Sequence, residues 1–325
     1  MSTDPHLWLR HKARVSPYEV AFWIAALIVP YVLLPKYLAL ASQIAIMATF
    51  CISLDLILGY AGIISLGHAA FFGIGAYAAG ILSARGWGEP LSGLLFAAVV
   101  AGLAGWIIGF MIVRVQHLAL LMITLGLSFL AVEVANTFDG LTGGADGLLG
   151  IDTWKLFGIW KFSIWGHTSY AYALGVSFLI FLLCRRLVHS PFGLTLEAIR
   201  ENPQRTTAIG VANRRHLQWV FTLSSSIAGI AGAMLAQTTK TVSLESLGFQ
   251  NSAEIAVMLI LGGTGRLYGA IVGTIIFMVA RDQLSGMNPK YWYFWIGILL
   301  MMVVLFMPRG ILGAMQRLAA KMSRS

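Results

Sequence analysis

The chain has 325 residues, of which 58% are hydrophobic and only 11% charged, and its mean hydropathy is +0.80. Soluble domains carry about 25% charged residues, so this composition excludes an ordinary soluble domain and predicts an all-α polytopic membrane protein. The formal charge of +9 comes from basic residues that lie between apolar segments. That distribution indicates membrane orientation and argues against nucleic-acid binding.

Ten apolar segments are predicted to cross the membrane as helices. A crossing needs roughly 20 apolar residues, or fewer where the helix is broken inside the protein. Glycines interrupt the apolar pattern in the regions 59–84 and 252–281, so Gly-rich turns are expected to break two pairs of helices. The predicted segments are 18–36, 41–58, 67–84, 91–113, 117–137, 169–184, 216–236, 252–264, 267–281 and 291–307.

The distribution of Lys and Arg predicts that both termini are cytoplasmic. With ten crossings and the N-terminus inside, 15 of the 22 basic residues fall in inner segments. Inner loops are enriched in Lys and Arg. We therefore expect a cytoplasmic N-terminus over 1–17, a membrane domain over 18–307 and a cytoplasmic C-terminal tail over 308–325.

The longest polar passage in the middle of the chain, residues 185–215, is expected on the inner side between the sixth and seventh crossings. It is predicted to form two short helices. Ser190-Pro191 and Asn202-Pro203 each place an N-cap residue before a proline, and Gly210 is suited to a left-handed C-cap. Glu197, Arg200 and Glu201 are expected to share one face of the first helix, while Leu196 and Ile199 lie on another.

Two glycine-rich segments, 59–77 and 261–277, are weakly similar to each other. Paired interruptions in the two halves of a transporter indicate a translocation pathway at their junction, although close helix packing is an alternative reason for the glycines. The candidate pathway residues here are Ser65, Gly67, His68, Gly262 and Gly263. For His68, capping or packing at a helix break is favoured over metal ligation, because no second ligand is nearby in the sequence.

The glycine-rich loop 140–151 supplies three further candidate pathway residues, Thr142, Gly143 and Gly144. Bare backbone amides at such glycines can form a nest for a carboxylate, and an ordinary flexible surface loop is the alternative.

Four ionisable residues lie within or near the ends of the apolar segments: Asp55, Glu133, Glu254 and Arg281. Intramembrane charges usually face the bundle interior or a water-filled cavity. An ion-coupled carrier would use the carboxylates as proton or cation sites, whereas interhelical hydrogen bonding is the other interpretation. Glu254 is also kept as a candidate pathway residue.

No phosphate-binding GxxxxGK[ST] loop, HExxH, CxxC pair or GxSxG occurs in the chain. The sequence therefore predicts neither an ATP site of the P-loop type nor a membrane-embedded enzyme.

Five motifs that occur in order between about residues 40 and 313 resemble the permease subunits of ABC importers for branched-chain amino acids and related substrates. These motifs are GYAGIISLGHAAFFGIGAYAAGIL, LTGGADGLLGI, SPFGLTLEAIRENPQRTTAIGV, AEIAVMLILGGTGRLYGAIVG and FMPRGILG. The segment from Glu197 to Ile199, with Gly210 further on, resembles the cytoplasmic loop that docks on an ATP-binding subunit. The resemblance implies that Glu197, Ala198, Arg200, Glu201 and Gly210 couple this chain to that subunit.

The resemblance also implies the remaining parts of the machine. They are a homologous second permease, two ATP-binding cassette subunits that carry the ATP and Mg, and a periplasmic substrate-binding protein. The chain itself would hold no cofactor and would lie in a bacterial inner membrane among its lipids. Urea, short amides and aromatic or dicarboxylic acids are substrates of related importers. A secondary transporter driven by an ion gradient is the alternative from a different class.

Overall fold

The computed structural model describes residues 17–33, 35–115, 117–156, 158, 160, 162, 166–287, 289–306 and 310–313. The predicted N-terminal tail, apart from Pro17, and most of the predicted C-terminal tail lie outside the described residues. The described part is helical, with two isolated antiparallel bridges, Leu148 to Val242 and Leu156 to Trp160.

Thirteen helices are numbered in chain order among the described residues, and each of the ten predicted apolar segments overlaps one of them. They are α1 Pro17–Leu33, α2 Leu38–Asp55, α3 His68–Ala84, α4 Pro90–Ile112, α5 His117–Thr137, α6 Asp139–Thr142, α7 His167–Val188, α8 Pro191–Glu201, α9 Pro203–Ala208, α10 Asn213–Thr239, α11 Phe249–Gly262, α12 Leu267–Met287 and α13 Trp292–Phe306. A π-helical turn, Leu56–Tyr60, extends α2.

Six helical stretches in the described part of the chain are long and apolar enough to cross a membrane. They are Pro35–Tyr60, Pro90–Ile112, Leu118–Thr137, His167–Val188, Asn213–Thr239 and Leu267–Met287. Three shorter apolar helices are Ala21–Val32, His68–Ala84 and Phe249–Gly262. At 1.5 Å per residue, the 17 residues of α3 and the 14 of α11 extend about 25 and 21 Å, less than a hydrocarbon core of about 30 Å. Ten crossings stay a prediction.

The core is built around α10, which packs along α3 and α4 through small residues. A Cβ atom added at Gly232 would overlap the carbonyl oxygen of Phe72, so the backbones of α10 and α3 approach directly. Small residues permit such approach and strengthen van der Waals packing between membrane helices. Around this centre, α2 contacts α7, α10 and α12. Its C-terminal half, from Ala45 to Asp55, is almost completely buried.

Contacts among the loops divide them between two ends of the bundle. At one end, the Leu148 amide donates to the Val242 carbonyl at 2.8 Å and the Trp154 amide to the Gly88 carbonyl at 2.8 Å. At the other end, Arg185 forms an ion pair with Glu19 at 2.6 Å. The first end gathers loops expected outside, and the second gathers segments expected inside.

Candidate functional site

The polar passage after α7 folds as the two predicted short helices, α8 and α9. Leu196 and Ile199 are buried against the membrane domain, as the sequence predicts. The side-chain oxygen of Asn202 accepts a hydrogen bond from the Arg205 amide at 2.9 Å and caps α9. Such a cap stabilises a short helix by about 1 kcal/mol.

Gly210 ends α9 in the predicted left-handed conformation, with φ of +88°. Its amide donates to the Thr207 carbonyl at 3.0 Å, and the next amide, that of Val211, donates to the Thr206 carbonyl at 3.1 Å. These paired hydrogen bonds satisfy carbonyls that a helix end otherwise leaves free. The helix pair therefore has a defined stop before α10.

Ser190 is the N-cap residue of α8, as predicted, but its side chain makes no capping hydrogen bond. Its backbone is extended at the N-cap position, but its hydroxyl donates to the Leu187 carbonyl at 2.5 Å, at the end of α7. The Ser190 side chain thus supplies a hydrogen bond to a carbonyl at the end of the preceding helix, α7. Pro191 reduces the need for a cap, because it has no backbone N–H to satisfy.

Arg200 joins α8 to the first non-helical break, residues 61–67. Its Nη1 donates a hydrogen bond to the carbonyl oxygen of Gly59, just before that break. Its aliphatic stem crosses Gly62, where φ is +74° and an added Cβ would lie 2.7 Å from the Arg200 Cγ. Gly62 is needed both for its backbone conformation and for the passage of this side chain.

The second non-helical break, residues 263–266, contacts the same point. The buried Asp55 carboxylate accepts a hydrogen bond from the Gly265 amide at 2.7 Å. An added Cβ at Gly265 would lie 3.2 Å from the Gly59 oxygen and 3.3 Å from the Arg200 Nη1. We call this junction of Asp55, Gly59, Gly62, Arg200 and Gly265 the inner junction. For Asp55, the geometry matches the interhelical hydrogen-bond interpretation.

Gly262 and Gly263 lie directly beside the inner junction. A Cβ at Gly262 would overlap the Gly269 carbonyl oxygen, so α11 and α12 are in backbone contact there. Gly310 has φ of +69°, and a Cβ there would lie 2.5 Å from the Gly263 Cα. The last sequence motif therefore folds back onto the second break.

The five proposed coupling residues do not share one environment. Ala198, Glu201 and Gly210 are exposed. Glu197 is half-buried and, with Tyr60 and Arg266, lines a cavity of about 400 Å³. Arg200 is exposed in part but hydrogen-bonds inward. The docking role stays a prediction, and the exposed surface of α8 is the part that remains accessible to a partner.

Ser65, Gly67 and His68 are buried where α3 begins. The His68 Nε2 lies 2.9 Å from the Ser53 hydroxyl and 3.3 Å from the Ser224 hydroxyl, which joins α2, α3 and α10. His68 also stacks on Phe50, with ring centroids 5.7 Å apart. This geometry matches the packing interpretation of His68. A pathway role for these residues stays a prediction.

The start of α3 also meets the start of α11. The Ala69 amide, in the first turn of α3, donates to the Ser252 hydroxyl at 2.8 Å. A Cβ at Gly67 would overlap the Thr124 carbonyl oxygen on α5. The two shorter helices and α5 are thus held together inside the bundle.

The described residues contain no group of three or more His, Cys, Asp or Glu side chains that is arranged to hold a metal ion. The site chemistry that the fold displays is hydrogen bonding and ion pairing.

The loop 140–151 is hydrogen-bonded within itself and, through Leu148, to Val242. The amides of Gly143, Gly144 and Gly147 donate to Asp139, Thr142 and Gly144, respectively. These three amides are therefore not available for the predicted carboxylate nest. The Thr142 hydroxyl donates to the Phe138 carbonyl at 2.8 Å. A pathway role for Thr142, Gly143 and Gly144 stays a prediction.

The remaining intramembrane charges are in different settings. Glu254 on α11 forms an ion pair with Arg281 on α12 at 2.9 Å, which again matches an interhelical contact. Glu133 is exposed on the surface of α5. At the end expected outside, a polar cavity of about 370 Å³ is lined by Gln43, Asn251, Arg281 and Asp282 among others.

Sequence reasoning did not single out Gly265 and Gly310 as members of a site. Both adopt positive φ, and both lie in glycine-containing motifs that were recognised only as wholes. Gly265 approaches Arg200 across 65 residues and Gly310 approaches Gly263 across 47, and no local pattern encodes contacts at such separations.

Known proteins similar to this chain are transport permeases. A family model described as branched-chain amino acid transport system / permease component matches residues 36–304. The high-affinity branched-chain amino acid transport system permease protein LivM of Escherichia coli K12 is 28% identical, over 91% of this chain and 74% of its own length. The LivH permease protein of the same organism is 26% identical, over 82% of this chain and 91% of its own.

A relative that is named for a different substrate is also similar to this chain. The L-arabinose ABC transporter permease protein AraH of Azospirillum brasilense is 25% identical, over 90% of this chain and 86% of its own length. No solved structure matches this chain.

Proposed function

The chain belongs to the family of branched-chain amino acid transport system permease components, and we propose that it imports branched-chain amino acids or related small polar or carboxylate solutes. As a member of that family it is a helical membrane permease of the ABC type. The relative AraH widens the range of possible substrates, because it is named as a permease for a sugar, L-arabinose.

The observation that carries the proposal is the inner junction. The pair of α8 and the capped helix α9 is linked through Arg200 to Gly59, next to both glycine-rich breaks. Motion of α8 would therefore reach the two places where the helices have no continuous backbone hydrogen bonding. This is the arrangement that an externally driven permease requires, since the chain has no phosphate-binding loop of its own.

The energy would come from two ATP-binding cassette subunits that carry ATP and Mg and dock on the exposed surface of α8. A second, homologous permease subunit would complete the pathway. In support, relatives of this chain include two differently named permease proteins of Escherichia coli, LivM and LivH. A periplasmic binding protein would deliver the substrate to the outer end.

The proposed topology has ten crossings in a bacterial inner membrane, with both termini cytoplasmic and glycine-rich turns that break two helix pairs. The contacts at the two ends of the bundle support a topology in which successive helices cross the membrane in opposite directions. The basic residues of 185–215 support assigning the end that contains α8 to the cytoplasm.

A secondary transporter is the competing proposal, and it would need an unpaired carboxylate for its coupling ion. Glu254 gives it little support, because that carboxylate is paired with Arg281. The charge of Glu254 is already compensated by its ion pair. Asp55 is the carboxylate on which it would rest, since Oδ1 accepts from the Gly265 amide while Oδ2 is buried without a hydrogen-bond partner among the described residues.

Uptake by the complete complex in proteoliposomes distinguishes the two proposals. We expect L-leucine uptake to require ATP on the side of the ATPase subunits and to persist when ionophores collapse the ion gradients. Uptake that follows an imposed ion gradient without ATP would contradict the proposal. Parallel assays with L-arabinose, urea and an aromatic acid identify the substrate class.

A further inference from the structure

Two cavities of different character meet along α1 and α7 at the inner end. One is polar and has a volume of about 400 Å³. The other is apolar, has a volume of about 450 Å³ and lies beside it. Their shared lining residues are Glu19, Phe181, Arg185 and Tyr268. Together they form one amphiphilic site, with a polar end and an apolar end.

The polar end contains a guanidinium group with an unused donor. Arg266 Nη1 is buried and donates to no acceptor among the described residues. A buried donor left unsatisfied is destabilising, and more so when the group is charged. A phosphate is the anion that a guanidinium binds well in this setting, through charge-assisted hydrogen bonds.

The other charges at the polar end limit which headgroup fits. Glu19 and Arg185 form an ion pair at 2.6 Å and largely neutralise each other. Glu197 lines the same cavity, and His189 is beside it with its Nδ1 2.8 Å from the Arg185 carbonyl. Beside Arg266, the pocket thus carries a carboxylate, which complements an ammonium group. A headgroup with both phosphate and ammonium matches this set better than an anion alone.

The apolar end has the length of an acyl chain. From Ala171 to Arg185, α7 borders the cavity over 14 residue steps, or about 21 Å. One leaflet of the hydrocarbon core is about 15 Å thick. The groove is lined mainly by large apolar side chains, namely Trp23, Ile24, Leu27, Leu174, Phe178 and Leu182. A free amino acid would leave this groove empty, so its length favours a lipid.

We propose that this site binds one aminophospholipid of the inner leaflet. Its phosphate binds Arg266, its ammonium group binds Glu197, and one acyl chain lies along α1 and α7 over Gly175. Because Glu197 belongs to α8 and Arg266 belongs to the second glycine-rich break, the headgroup joins two parts of the proposed coupling path. The site itself does not depend on which solute the permease carries.

Native mass spectrometry of the purified complex tests the proposal, after exchange into an equal mixture of phosphatidylethanolamine and phosphatidylglycerol. Gly175→Trp fills the groove, since an added Cβ there meets nothing within 4 Å and the indole can enter without a backbone clash. Gly126→Trp on α5 is the matched control, because its Cβ is equally free and α5 does not line the site. Arg266→Gln removes the charge from the polar end.

The native chain and Gly126→Trp are expected to retain one phosphatidylethanolamine. Gly175→Trp and Arg266→Gln are each expected to lower its occupancy at least about tenfold, which corresponds to about 1.4 kcal/mol. Native-like retention in both variants overturns the site, as does loss in Gly126→Trp to the same extent. Preferential retention of phosphatidylglycerol by the native chain overturns the assigned headgroup. These results are independent of whether ATP drives leucine uptake.

Discussion

Arg200 and Glu201 of α8 are predicted from the sequence to share one face, but their contacts in the structure differ. Arg200 hydrogen-bonds to Gly59 inside the protein. Glu201, one residue later, is exposed. Arg200 is also exposed in part, and we propose that docking of a partner and transmission of its motion are separable, with Glu201 contributing to docking and Arg200 to transmission.

Glu201→Lys is expected to weaken association with the ATP-binding subunit by roughly fivefold to thirtyfold, or about 1–2 kcal/mol, because a charge is reversed on the exposed docking surface. Co-purification at graded salt concentrations measures the effect. Glu245→Lys makes the same charge change on an exposed residue at the opposite end and serves as the control. Equal association of both variants would remove Glu201 from the docking surface.

Among the helices, α11 and α12 show why glycine is placed where a membrane helix is interrupted. Gly262, Gly269 and Gly273 allow the two backbones to touch, and Gly263 continues with φ of +110°. Only glycine adopts that conformation readily while leaving room for a neighbouring backbone. The pair of α11 and α12 is therefore held by backbone contacts that a single added methyl group would disturb.

Gly262→Leu is expected to reduce leucine uptake at least about tenfold and to destabilise the protein by about 1–3 kcal/mol, because the added side chain overlaps the Gly269 carbonyl. Uptake in proteoliposomes and the thermal midpoint in detergent measure the two effects. Gly286→Leu, on the same helix pair, is the control, since its Cβ meets nothing within 4 Å. Full uptake by Gly262→Leu would show that α11 and α12 do not pack closely in the working protein.

For the whole molecule, the positions of the helices were largely predictable from the sequence. Every predicted apolar segment overlaps a helix, because the length of an apolar run between polar residues is a direct consequence of the bilayer. The caps at Asn202 and Gly210 were predictable too, since they depend on neighbouring residues. The hydrogen bond of the Ser190 hydroxyl was not predictable, because this hydroxyl has a competing acceptor at the end of α7.

The contacts that assemble the candidate site were not predictable in this way. Arg200 and Gly59 are 141 residues apart, and Asp55 and Gly265 are 210 apart. Local periodicity carries no information on such pairs. It also did not show that Glu254 faces Arg281, although both were recognised as unusual charges in apolar segments. Of the carboxylates that suggested an ion-coupled carrier, Glu254 thus has an ion-pair partner that only the fold reveals.

The central claim is that α8 transmits motion to the glycine-rich breaks through Arg200. The measurement that tests it most directly is the number of leucine molecules imported per ATP hydrolysed by the complete complex in proteoliposomes, compared between the native chain and Arg200→Ala. We expect the ratio to fall at least about tenfold while the ATP-binding subunits remain bound, since a hydrogen bond from a charged group contributes about 1.5–3 kcal/mol. Arg200→Lys should recover part of it, because an ammonium group can also donate to the Gly59 carbonyl. An unchanged ratio in Arg200→Ala would contradict the claim.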